Sequence, residues 1–277
     1  MRPMLGLAIL SAVLGAAPAL QIVRPVISDR DGGASDPPGF EHAPGETLYF
    51  SCRGSGFTKS EEEQVHIRYS VQAFDPQGVP LTEPDQREIQ AEVTPQDKDW
   101  LPKIATEIQI PPLVASGTYK IVVNAEDLLA KSSTELTVPF QVRGYALEPS
   151  DTIVVRNFRF YRSEQDTQPV EKAVYQPGDS VWARFDITGY QYGPKNRVDV
   201  SYVVSLLNTE GKTLYRQPEP AVEQSESFYP KRYVPATMAL NLQKDIAPGE
   251  YTIRVEVKDA IGGRTNEGKY PFLVEKP

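Results

Sequence analysis

Two stretches of the chain, 132 residues apart, repeat one pattern: Gly117-Thr118-Tyr119-Lys120-Ile121-Val122-Val123-Asn124-Ala125-Glu126-Asp127 and Gly249-Glu250-Tyr251-Thr252-Ile253-Arg254-Val255-Glu256-Val257-Lys258-Asp259. Each opens on a turn glycine, places a tyrosine two residues on, alternates apolar with other residues, and closes on an aspartate. Alternation at period two sends successive side chains to opposite faces, so each stretch predicts a half-buried strand. A strand with one apolar face must bury it against another layer, and it does so once in each half of the chain.

The remainder keeps the same register. Residues 22–27 and 153–160 both read as opening strands, and Ala43-Pro44-Gly45-Glu46 returns as Gln176-Pro177-Gly178-Asp179. A Pro-Gly pair presets a tight turn, because proline fixes φ and glycine accepts a positive φ. Leu48-Tyr49-Phe50-Ser51-Cys52 then matches Val181-Trp182-Ala183-Arg184-Phe185, and each segment runs on to a Gly-aromatic pair, Gly56-Phe57 and Gly189-Tyr190. The next strand repeats as Val65-His66-Ile67-Arg68-Tyr69-Ser70-Val71 and Val198-Asp199-Val200-Ser201-Tyr202-Val203-Val204. Partners lie 133 residues apart up to Trp100-Leu101-Pro102 and Tyr233-Val234-Pro235, and 132 apart after it. A register held over that length with one single-residue slip implies internal duplication. Each copy offers about seven short strands. The inward positions are Leu48, Phe50, Cys52, Val65, Ile67, Tyr69 and Val71 in the first copy, and Val181, Ala183, Phe185, Val198, Val200, Tyr202 and Val204 in the second. The copies differ most over residues 82–103 and 215–236.

Gly-x-Tyr-x-Ile resembles the tyrosine corner of immunoglobulin-like sandwiches, with Ile121 and Ile253 where the second core cysteine would stand. The resemblance, to tandem bacterial immunoglobulin-like or fibronectin type III-like modules, covers nearly the whole chain after its leader. It implies an all-β chain of two tandem immunoglobulin-like β-sandwich domains, at 20–143 and 152–277, with a short linker at 144–151. Its motifs specify a fold and hardly constrain a function.

Residues 1–19 read as a signal peptide: a singly basic start, an apolar run too short for a comfortable span, and the small-x-small site Ala17-Pro18-Ala19. No cysteine follows the run, so no lipid anchor is expected. The expected address is periplasmic or extracellular, without stable membrane insertion. Net charge is −8 and unevenly placed: residues 20–143 carry 11 Lys and Arg against 19 Asp and Glu, and residues 144–277 carry 17 against 18. An acidic first half repels phosphate backbones, so nucleic acid is not an expected partner. The lone Cys52 excludes an intrachain disulfide.

No catalytic constellation, metal site or cofactor is expected. Cys52 lies on the inward phase of its strand and His66 on the outward phase of the next, so the two cannot share a proton. His42 stands apart from both, and two histidines so placed make no zinc cluster. Asp127 and Asp259 suggest calcium, which needs six to eight oxygens; without further acids beside them, turn-making is the better reading. The feature the shared fold does not require is in the second copy. Phe228-Tyr229-Pro230-Lys231-Arg232-Tyr233 mixes rings with cations, and Tyr190-Gln191-Tyr192 makes aromatic the loop whose counterpart in the first copy is the acidic Glu61-Glu62-Glu63. Tyr190, Tyr192, Phe228, Tyr229, Lys231 and Arg232 are therefore the candidate ligand-binding residues. The expected function is a non-enzymatic exported binding or structural protein of the bacterial cell envelope. On this reading it contacts a protein or polysaccharide through domain two, with domain one as spacer. The alternative is a carbohydrate-binding accessory module.

Overall fold

In a computed structural model, which describes residues 19–276, the chain is all-β, with 3-10 turns at Pro95–Asp97 and Pro194–Asn196 and no α-helix among the described residues. Apart from Ala19, the leader read over residues 1–19 lies outside the described residues. No helix among them is long and apolar enough to cross a membrane.

The first half holds β1 (Gln21–Ser28), β2 (Glu41–His42), β3 (Thr47–Ser55), β4 (Gln64–Phe74), β5 (Asp85–Glu92), β6 (Lys103–Gln109), β7 (Gly117–Asp127) and β8 (Ser132–Val142). They form a three-stranded sheet, β1-β3-β6, and a five-stranded sheet, β2-β8-β7-β4-β5. The second half holds β9 (Val154–Tyr161), β10 (Val174–Tyr175), β11 (Ser180–Thr188), β12 (Val198–Leu207), β13 (Thr213–Arg216), β14 (Ala221–Ser225), β15 (Val234–Asn241), β16 (Gly249–Asp259) and β17 (Arg264–Val274). These form β15-β11-β9 and a six-stranded sheet, β10-β17-β16-β12-β13, in which β14 also pairs with β12. Multiple sheets with alternating inward residues are consistent with a β-sandwich.

The pairing repeats as the sequence does. Gly117 faces Val142 as Gly249 faces Val274, and Ser70 faces Asn124 as Val203 faces Glu256. The short parallel pairs match too, Glu41 with Gln141 and Val174 with Leu273, although neither two-residue strand stands out in the sequence. Both opening strands carry a bulge, with Arg24 at φ 53 and Asn157 at φ 51. Both Pro-Gly turns are built alike: Gly45 and Gly178 take φ 84 and 91, and Glu46 and Asp179 donate back to Ala43 and Gln176. Tyr119 donates its hydroxyl to the carbonyl of Ala115 (2.8 Å), and Tyr251 to that of Ala247 (2.7 Å), each four residues upstream. That is the tyrosine-corner bond.

One detail of the register differs from the sequence reading. Arg53 faces Lys103 and Asp186 faces Pro235, so Pro235 stands where the first half has Lys103. The one-residue slip therefore precedes the Pro102 position. The two prolines look alike in sequence, and only strand pairing separates them.

Two hydrophobic clusters fill the halves, and every inward position named from sequence belongs to one of them except Tyr202, which is partly buried and packs against the second. Cys52 is buried where the second half places Phe185. The first cluster contains one residue from the other half, Tyr229.

Candidate functional site

The six candidate residues do not form one open face. Phe228 and Tyr192 are exposed at 45 % and 40 %, but Tyr190 and Tyr229 are buried at 7 % and 6 %. Tyr190 and Tyr192 both donate to the carbonyl of Lys231 (2.6 Å each), which pins the loop from beneath. Lys231 reaches Glu223 (2.6 Å) and Ser225 (2.8 Å), and its ammonium holds the Glu223 carboxyl below the usual range. The expectation of an aromatic platform is thus corrected. A sugar-stacking face needs adjacent bare rings, and two of the four rings are enclosed and a third is tethered by its hydroxyl.

What the loop does instead is join the halves. Tyr229 inserts into the first core and donates its hydroxyl to Asp75 Oδ2 (2.9 Å), a carboxylate whose side chain is fully buried. The Arg232 guanidinium pairs with the same oxygen and reaches Gln77 Oε1 (3.2 Å). The other oxygen, Asp75 Oδ1, accepts from the backbone of Gln77 and Val79 (2.8 Å each), closing the turn after β4. Burial pushes the Tyr229 phenol up to about 12, so it remains a donor at neutral pH. Nearby, the ring of Tyr145 packs on Tyr233 with centroids 5.4 Å apart, and Ser116 holds the carbonyl of Gly144 (2.7 Å). The segment between the halves is therefore tied into both.

Asp75 does not stand out in the sequence, although a signal is present. Its counterpart 133 residues on is Asn208, whose Oδ1 serves its own turn by accepting from Glu210 (3.1 Å) and Lys212 (2.8 Å). The repeated turn needs one side-chain oxygen. The first copy carries a second, charged one, and it meets the Tyr229 and Arg232 that only the second copy has.

The residues set aside from chemistry sit as follows. His66 contacts Glu88 Oε2 (2.7 Å) on the outer face, far in phase from buried Cys52, whose thiol burial raises to about 12. His42 is buried against the rings of Phe40 and Phe140. Asp127 accepts from the backbone of Thr58, Leu129 and Ala130 (2.7, 2.9 and 3.1 Å), and Asp259 from Gln191, Ile261 and Gly262 (2.9, 3.0 and 2.9 Å). Their oxygens hold loops together, as the turn reading expects.

A different concavity lies in the first half. A cleft of about 660 Å³ opens between the edges of the two sheets, from β6 (Lys103, Ala105, Glu107) across Tyr69 to Asp85 and Arg87 of β5. The equivalent place in the second half, between β15 and β13, is reduced to about 270 Å³. There Tyr202 spans the gap and donates to the carbonyl of Thr237 (3.1 Å). Tyr69, at the matching position, is buried in the cleft floor, and its hydroxyl has no hydrogen-bond partner among the described residues. Asp85 Oδ1 accepts from Arg87 Nε (2.8 Å), while its Oδ2 is buried with no donor among the described residues.

No family model matches the chain, and no curated protein matches it. Among solved structures, the chain is similar to a family 123 glycoside hydrolase from Clostridium perfringens (13 % identity, TM-score 0.30) over 46 % of this chain and 28 % of that one. It is also similar to the C-terminal domain of the Streptococcus pyogenes antigen I/II-family protein AspA (11 % identity, TM-score 0.31) over 91 % of this chain and 99 % of that one. At such scores neither likeness carries an argument about what this chain does.

Proposed function

We propose that this is a non-enzymatic, exported binding protein of the bacterial cell envelope, built from two tandem immunoglobulin-like domains that arose by duplication. Domain one makes the contact, and domain two is a support locked to it through Asp75, Tyr229 and Arg232. This reverses the roles expected from the sequence, because the loop that promised a site serves the joint. The observation that carries the reading is the open sandwich edge of the first half, set beside the edge of the second, which Pro235 and the Tyr202–Thr237 contact obstruct. A sheet edge with unpaired backbone groups invites pairing unless it is blocked, and blocking one copy while leaving the other open is the pattern of a retained interface.

The test is site-specific cross-linking in the envelope fraction of producing cells. A photoreactive residue at Glu107 is expected to give a discrete adduct that disappears when Ala105→Pro is added. The same residue at Ala239, the matching position in the second half, is expected to give none. Equal labelling at both positions, or none at either, contradicts the reading.

A further inference from the structure

Resting on that binding role, we infer that the cleft receives an extended polypeptide segment bearing lysine or arginine, which pairs through its backbone with the free edge of β6.

The backbone parity of β6 can be read from its neighbours. Ile110 and Pro102 both bond toward β3, through Glu46, Gly45 and Gly54, and the register between them is unbroken. Even-numbered residues therefore face β3. Lys103, Ala105 and Glu107 present their N–H and C=O groups to the cleft, a ladder of the spacing an incoming strand needs. In β15 the same parity holds, because Leu242 donates to Asp179. There the outward positions matching Lys103, Ala105 and Glu107 are Pro235, which has no N–H to offer, Thr237, whose carbonyl already accepts from Tyr202, and Ala239. Proline on an edge and a side chain across the gap are two independent blocks to strand addition. The first half has neither, since Lys103 replaces Pro235 and Tyr69 leaves its hydroxyl unpaired.

Charge selects the occupant. The cleft is lined by Asp31, Glu83, Asp85 and Glu107 against Arg87 and Lys103. Both cations are already matched, Arg87 to Asp85 Oδ1 (2.8 Å) and Lys103 to Asp31 (3.6 Å). Glu83 and Glu107 remain. The Asp85 carboxylate stays partly exposed at the cleft, so an ammonium or guanidinium on an added strand would join Arg87 beside it and pair with the unmatched Glu83 and Glu107. Alternation along that strand places every second side chain over the cleft, so cationic residues at i and i+2 suit it.

The probe is a fluorescent decapeptide alternating lysine with valine, titrated by anisotropy into the mature full-length chain. Three comparison peptides accompany it: one with glutamate for lysine, one with the lysines out of alternation, and one N-methylated on alternate residues. Saturable binding of the alternating lysine peptide alone is expected. Ala105→Pro removes an outward N–H while sparing the β3 ladder, and should weaken binding about tenfold, the loss of one good hydrogen bond. Asp85→Asn should weaken it by a similar factor and flatten its salt dependence, and thermal melts establish that both variants fold. Equal affinity for the N-methylated peptide, or unaltered binding to Ala105→Pro, overturns strand pairing. Preference for glutamate overturns the charge assignment. Concentration-dependent dimerisation abolished by Ala105→Pro would make a second copy the occupant and also overturn the inference. If the Glu107 cross-link forms but no lysine peptide binds, this inference falls while the binding role stands.

Discussion

Substituting Asp75 by asparagine isolates the joint between the halves with little collateral damage, because the protein already contains the control. Asn208 builds the equivalent turn with its amide oxygen, so Asp75→Asn should preserve the bonds from Gln77 and Val79. What disappears is the charge that Arg232 and Tyr229 share. Removing one member of a buried ion pair costs about 3–5 kcal/mol. Arg232 keeps 31 % of its side-chain surface and can turn to water, which places the expected loss near the lower end, about 3 kcal/mol. For a chain of this size that corresponds to a fall in Tm of roughly 6–12 °C. Tyr229→Phe keeps the ring in the first core and deletes the hydroxyl, at about 2 kcal/mol. The double variant should lose less than the sum, since both act on one oxygen. Calorimetry on all three, together with small-angle scattering, measures the loss and any loosening between the halves. If Asp75→Asn melts within about 1 °C of the parent, or the two substitutions add without coupling, the joint does not hold the halves together.

Three other outcomes follow from named contacts. Asp259→Ala orphans the backbone donors of Gln191, Ile261 and Gly262 and should cost about 3 kcal/mol or more by thermal melting, whereas EDTA should leave the parent's Tm unchanged. Burial raises the Asp186 carboxyl above its ordinary value, against the lowering by its bond from Asn157 (2.9 Å). The folded state therefore loses stability as pH climbs from the ordinary aspartate pKa through the raised one. Asp186→Asn should accordingly raise Tm at pH 7, and the gain should vanish below about pH 3.8, where the carboxyl is protonated in both states. With its thiol buried and raised to about 12, Cys52 should resist a thiol reagent at pH 8 until denaturant is added, and prompt labelling of the native chain would show the first core to be open.

Much of the fold is legible in the sequence because its cause is local. Alternation, the Gly-x-Tyr corner and the Pro-Gly turn each act within a few residues, and the buried Ile121, Ile253, Tyr119 and Tyr251 follow directly. Asp127 and Asp259 are readable as turn residues for the same reason. The site is less readable. Tyr229 looks exposed in a polar, proline-bearing loop, and its burial depends on Asp75, 154 residues away. No spacing rule connects those two positions, although the exchange of Asp75 for Asn208 between copies marks one of them. The open edge is hidden by a coincidence of prolines. Aligned by sequence, Pro102 and Pro235 cancel; aligned by pairing, Pro235 stands opposite Lys103 and the asymmetry of the two edges emerges.

That asymmetry is most directly tested by residue-resolved amide hydrogen exchange on the mature chain without ligand. Protection is expected at Ile104, Thr106 and Ile108, which donate to β3, and rapid exchange at Lys103, Ala105 and Glu107, which face the cleft. Slow exchange at all six amides would mean the edge of β6 is already covered, and the proposed interface would not exist.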